Sequence, residues 1–198
     1  MTNDHHPSAY RRMSREDVVK AVERRCPSRI PLIMSHWWGE GLREQYGDRL
    51  EELARYPSDA EFIGIPKYDV EAMELSWKLK EGGALDNRAV IDDWEKLDEF
   101  IEKLPDPAQD SRWDELAEQA SGLHDQDIYL IVGWWGLFFE TPWSLRGMEN
   151  LMVDYYEAPD KIHRLHSALS ELYRKSIRKA AEAMSPDGFW TSDDLGHQ

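Results

Sequence analysis

The sequence predicts an α/β fold of the (β/α)8 TIM-barrel type, with about the first four β/α units present. Three observations carry this expectation. Four short apolar runs, Ile30 to Met34, Ala60 to Ile65, Ile128 to Gly133 and Gly188 to Thr191, lack the alternation of a half-exposed strand. They read as parallel strands covered on both faces. Each run empties into a polar or aromatic loop, and helical spacing follows the first three. No glycine-rich phosphate fingerprint follows any of them, so a dinucleotide-binding fold loses its best signal. A complete barrel takes roughly 250 residues and eight strands. A 198-residue chain with four such runs supplies half of one.

Residues 1–13, with His5 and His6 beside Pro7, read as a flexible tail. Residues 14–198 form the half-barrel domain. Ser14 caps the opening helix, Glu16 and Asp17 suit its first turn, and Val18, Val19 and Val22 give it an apolar face. Cys26-Pro27 stops it. After the first strand a helix runs from about Gly41 to Tyr56 and breaks at Pro57-Ser58. Residues 70–90 show no clean period, and Glu81-Gly82-Gly83 marks a loop or hairpin tip. Trp94, Leu97, Phe100, Ile101 and Leu104 make one amphipathic helix over Ile91 to Leu104. Pro105 and Pro107 end it. Trp113 to Ala120 is another helix, closed by Gly122. Leu145 to Tyr156 reads as one helix, and Asp160 to Met184 as a longer one. In the latter, Ile162, Leu165, Leu169, Leu172, Ile177, Ala180 and Met184 share a face. His163 and His166 stand three apart on it. With no third ligand nearby they read as surface imidazoles.

Composition narrows the function. The chain has 39 acidic and 24 basic residues, a net charge of −15. That excludes the clustered positive footprint of a nucleic-acid binder. No apolar run approaches the roughly 20 residues of a membrane span. The N-terminus lacks the apolar centre of a secretory signal, so the expected location is cytoplasmic. A lone cysteine, Cys26, allows no internal disulfide and no thiolate metal site, and it reads as structural. Nine tryptophans include the pairs Trp37-Trp38 and Trp134-Trp135. Neighbours on a strand point to opposite sides, so one of each pair can line a pocket while the other packs.

In a parallel barrel the chemistry sits where the strands end. His36, Trp37 and Trp38 follow the first strand, and Lys67 and Tyr68 the second, with Asp69 next. Trp134, Trp135, Glu140 and Arg146 follow the third. Asp193, Asp194, His197 and Gln198 follow the fourth. The expected catalytic groups are Asp193, Asp194, His36 and His197. One of the aspartates orients substrate or acts as a base, and His36 donates a hydrogen bond or moves a proton. The others bind substrate. A structural alternative is equally simple: Asp193 caps the following helix and His36 packs between tryptophans. No metal site is expected. Arg is the residue that holds polycarboxylates, and these loops offer only Lys67 and Arg146 against several acids. An acidic, aromatic site of this kind suits a neutral or cationic substrate.

Several segments resemble the uroporphyrinogen decarboxylase superfamily, which includes cobalamin-linked methyltransferases. The helix from Ser14 to Val22 followed by Cys26-Pro-Ser-Arg-Ile-Pro-Leu resembles its opening helix and first strand. Pro142-Trp-Ser-Leu-Arg-Gly-Met-Glu-Asn-Leu resembles the segment after its third strand. Ala181 to Gly196 resembles its fourth strand and acidic end. The resemblance implies a barrel about twice this length. It also implies zinc and a corrinoid for a full-length member, the zinc held by later strands, with no cofactor within this chain. The decarboxylase arginines after the first strand are replaced by Met34-Ser-His-Trp-Trp-Gly. The decarboxylase aspartate falls near Gly64 to Lys67, and its tyrosine near Met148. The function so implied is methyltransferase-like, on a small methylated substrate or a corrinoid protein. The alternatives are decarboxylation of uroporphyrinogen or another carboxylated compound in porphyrin metabolism, and a non-catalytic fragment. As a half-barrel the chain would pair with a second copy or with a missing C-terminal half.

Overall fold

The computed structural model describes residues 10–33, 41–50, 56–79 and 88–194. Helix α1 (Arg15–Val22) opens on Ser14, whose hydroxyl accepts the Asp17 amide at 3.2 Å. Then come the short α2 (Leu42–Tyr46) and strand β1 (Ala60–Gly64). Strands β2 (Lys78–Leu79) and β3 (Arg88–Ala89) pair antiparallel, so a hairpin stands where Glu81-Gly82-Gly83 marks a tip; the tip itself lies outside the described residues. A 3-10 turn leads into α3 (Leu97–Lys103), and α4 (Arg112–Asp125) continues through Gly122 instead of closing there. Strand β4 (Tyr129–Trp135) is followed by α5 (Glu140–Arg146), α6 (Met148–Glu157), α7 (Pro159–Met184) and strand β5 (Gly188–Ser192). The single helix expected over Leu145 to Tyr156 is therefore two. Gly147 breaks it at φ +83°, a conformation that glycine takes at little cost.

The main sheet has the order β1-β4-β5, and both pairings are parallel. Paired residues share a face. Ile63, Val132 and Phe189 form one row, and with Leu130, Trp134 and Ile65 they look toward α4 and α7. There they meet Leu165, Leu169, Leu172, Tyr173, Ala180 and Met184 of α7. Ile177 is the exception on that expected stripe: it is exposed, while Tyr173 and Ser176 are buried. The opposite face is covered at its N-terminal end by α1, where Met13 and Val18 pack on Ala60 and Tyr129.

This sheet is open, which corrects the half-barrel expectation. Three of the four predicted strands form it, in a small mixed α/β arrangement. The fourth, Ile30 to Met34, makes no strand over its described part. Ile30 is 87% exposed and Ile33 61%, so the run is not covered on both faces. Its attachment is local. The Asp59 amide donates to the Leu32 carbonyl at 2.7 Å, and the Leu32 amide donates to the Asp59 carboxylate at 2.6 Å. A side chain has taken the place that a neighbouring strand's carbonyl would fill, and among the described residues β1 pairs only with β4. Among the described residues, no helix is long and apolar enough to cross a membrane.

Candidate functional site at the carboxyl ends of the strands

Because β1, β4 and β5 run the same way, their carboxyl ends meet, and the loops leaving them form one cluster. Open α/β sheets place ligands in this position. Lys67 follows β1, Gly136 and Glu140 follow β4, and Asp193 and Asp194 follow β5. Sheet pairing is extended here by Ile65 N donating to Gly133 O (2.9 Å) and Gly136 N donating to Ser192 O (2.7 Å).

Asp193 is committed to the backbone. Its carboxylate accepts the amides of Phe138 (2.6 Å) and Phe139 (2.9 Å), which lead into α5, and of Glu140 (2.8 Å), its first residue. Burial alone raises the Asp193 carboxyl, but these amides outweigh it and hold the group below its ordinary value. It is a cap, as the structural alternative anticipated, but for the helix after β4 instead of one after β5. The dipole of α5 is thereby satisfied within the chain.

Lys67 and Glu140 stand beside Asp193, both within its electrostatic influence. The Lys67 ammonium donates to the carbonyls of Trp135 and of Gly136, the latter at 3.1 Å. Burial lowers its pKa, while Glu140 and Asp193 pull it back. Glu140 is raised, first by burial and then by Asp194 and Asp193, with Lys67 opposing. Among the described residues, the Glu140 carboxylate has no hydrogen bond or ion pair. Gly136 sets its place: φ is +68°, and a Cβ there would stand 2.9 Å from both Cβ and Oε2 of Glu140. Any side chain at 136 would push Glu140 away.

The remaining expected residues are distributed differently. Asp194 is exposed at the rim. Trp134 is buried between Tyr173 and Phe189, each 5.4 Å away, while Trp135 is 64% exposed on the opposite face. The pair thus divides into a packing ring and a free ring. Tyr68 lies edge-to-face on Phe100 at 5.8 Å, and burial holds its phenol far above the ordinary value. Arg146 is locked away from the strand ends. It pairs with Asp154 (2.6 Å), donates to the carbonyls of Ile91 (3.0 Å) and Asp92 (2.7 Å), and lies over the Trp94 ring. His36, Trp37, Trp38, His197 and Gln198 lie outside the described residues.

Three contributors escaped sequence reasoning. His166 is not a free surface imidazole; it stacks on Phe138, and burial lowers its pKa, with His163 adding and Asp193 opposing. Phe62 and Trp190 stand in contact with each other beside Trp135, a grouping that needs the register of three strands. Among the described residues no three His, Cys, Asp or Glu side chains are grouped to hold a metal. Cys26 is exposed. No family model, curated protein or solved structure matches the chain.

Proposed function

We propose that the chain is a methyltransferase-like enzyme for a small neutral or cationic methylated compound, with Glu140 as its proton-transfer group. The observation that carries this reading is the raised Glu140 carboxyl, without a partner among the described residues, in the space that Gly136 leaves at the meeting point of three parallel strands. Burial pushes the Glu140 carboxyl up and the Lys67 ammonium down, the directions in which acid–base groups are shifted. When a methyl group passes from oxygen to an acceptor nucleophile, the C–O bond breaks and its electron pair stays on oxygen. The Glu140 proton neutralises that charge, and the carboxylate left behind is restored from solvent. Asp193 keeps α5 in place and takes no proton.

The alternative substrates with several carboxylates fit less well. Both candidate cations are engaged, Lys67 by carbonyls and Arg146 by Asp154, and the strand ends carry Glu140, Asp193 and Asp194. The zinc implied by the resemblance finds no fitting donor set among the described residues, so no step is assigned to it.

The test is a demethylation assay of the full chain with methoxylated and methylated-amine compounds, a thiol or corrinoid acceptor, and product detection by mass spectrometry. Product is expected, and Glu140→Gln should lower its rate by about 10²-fold or more. No product across the panel, or an unchanged rate in Glu140→Gln, overturns the reading.

A further inference from the structure

The face of the main sheet opposite α4 and α7 carries a feature the proton chemistry does not use. Gly64, Gly133 and Trp190 are cross-strand neighbours in one row; Phe62 lies in the row before, and Trp135 in the row after. Two glycines therefore leave bare backbone at the centre of an aromatic surround. Above Gly64 the space where a Cβ would stand is open. At Gly133 a Cβ would collide with the Trp190 carbonyl oxygen, so only glycine lets β5 approach this closely. Phe62 on β1 and Trp190 on β5 flank β4, yet their ring centres are 5.4 Å apart, which requires both to lean inward over it.

The rings meet at right angles. Trp190 stands at 90° to Phe62 and at 81° to Trp135, whose centre is 4.6 Å away. Perpendicular rings enclose a corner and offer π-faces in more than one direction, whereas a parallel stack offers only its outer faces. A quaternary ammonium group spreads its charge over several methyl groups and can meet several faces at once, and tryptophan is its best partner. Access is present, with Trp135 64% and Phe62 46% exposed. The neighbouring strand ends add charge of the right sign: with the Glu140 proton in place, Lys67 against Asp193 and Asp194 leaves one negative charge in excess, and the whole chain is at −15. The Lys67 ammonium is turned onto the Trp135 and Gly136 carbonyls. We infer that Phe62, Trp135 and Trp190 form a binding corner for a trimethylammonium group. This names a substrate class for the proposed methyl transfer: the C–N bond breaks, its electron pair stays on nitrogen as a neutral amine, and that amine takes the Glu140 proton only afterwards. The binding itself does not depend on that proposal.

The probe is choline, titrated into the full chain and followed by tryptophan fluorescence at constant ionic strength. Its neutral carbon isostere, 3,3-dimethylbutan-1-ol, serves as the comparison. Saturable binding of choline is expected, with the isostere about 5-fold or more weaker, as cation–π attraction of this size implies. Trp135→Ala should weaken choline about 10-fold. That ring is exposed, so its loss spares the core; a thermal melt matching the parent establishes that the variant is folded. Trp190→Leu should do the same, with Trp190→Phe recovering part. No saturable response, equal binding of the isostere, or unchanged affinity in Trp135→Ala each overturns the assignment. A dimer in sedimentation that Trp135→Ala disperses would assign the corner to a second copy and also overturns it. Choline binding without any demethylated product would leave the corner standing and remove the methyl-transfer reading.

Discussion

Asp59 accepts hydrogen bonds from Arg29 at 2.6 and 2.8 Å, from the amides of Met13 (2.7 Å) and Leu32 (2.6 Å), and from the Tyr10 hydroxyl at 3.2 Å. Its side chain is completely buried at the start of β1, and Arg29 also lies over the Tyr10 ring. Burial alone would raise this carboxyl. The Arg29 guanidinium and the two amides outweigh that effect and hold it at about 2, against an ordinary 3.8. A pKa lowered in the folded state contributes stability above 3.8 and loses it as pH falls toward about 2. The linkage amounts to about 2 kcal/mol at neutral pH. Urea denaturation should therefore show the chain weakening between about pH 4 and pH 2. Asp59→Asn should flatten that part of the profile and cost about 3 kcal/mol near neutral pH, because it leaves the Arg29 guanidinium without its charge partner. An unchanged profile in the variant would show that other carboxyls set the acid limit.

At the scale of elements, α5 depends on a residue more than 50 positions away in the chain, since the amides of Phe138 and Phe139 that lead into it and of Glu140 that opens it end on Asp193. A seven-residue helix is too short to hold itself. The cap ties it to the end of β5 and so fixes Glu140 near Lys67. Asp193→Ala should lower stability by about 1–2 kcal/mol, the usual worth of a lost cap with its charge at a helix N-terminus. Thermal melts would measure this. Demethylation would fall with it, through misplacement of Glu140. Asp193→Asn keeps an acceptor and should restore part of both. If Asp193 were instead the base, Asn would be as inactive as Ala while melting normally.

For the molecule as a whole, the open sheet predicts a gradient of stability. Strand β4 is paired on both sides, whereas β1 and β5 are each paired on one within the described sheet. Leu130 and Val132 are also completely enclosed by side chains. In native-state hydrogen exchange, the amides of β4 should be the slowest, and those of β1 and β5 should exchange earlier through sub-global opening. Equal protection across the three strands would mean that the edges are covered by further pairing. The edges also explain the value of a strongly acidic surface. Net charge of −15 opposes the edge-to-edge association that open strands invite, so added salt should promote it.

Local physics made part of this legible from residues alone. The β1, β4 and β5 strands, the α1 cap at Ser14 and the buried stripe of α7 follow from apolar runs, a serine oxygen and 3.6-residue spacing. The division of Trp134 from Trp135 was likewise visible, because strand alternation is a sequence property. Tertiary structure alone decided the rest. A run of Ile30-Pro31-Leu32-Ile33 has the apolar pattern of a strand, yet its backbone is held by the Asp59 side chain and it forms no strand among the described residues. The aspartate with the most reactive appearance, Asp193, is occupied by amides of another loop. Phe62, Trp135 and Trp190 become one corner only through the register of three strands. Periodicity records which face a residue turns to its own element. It does not record which backbone groups lack partners, and those orphaned amides determine where the carboxylates are held.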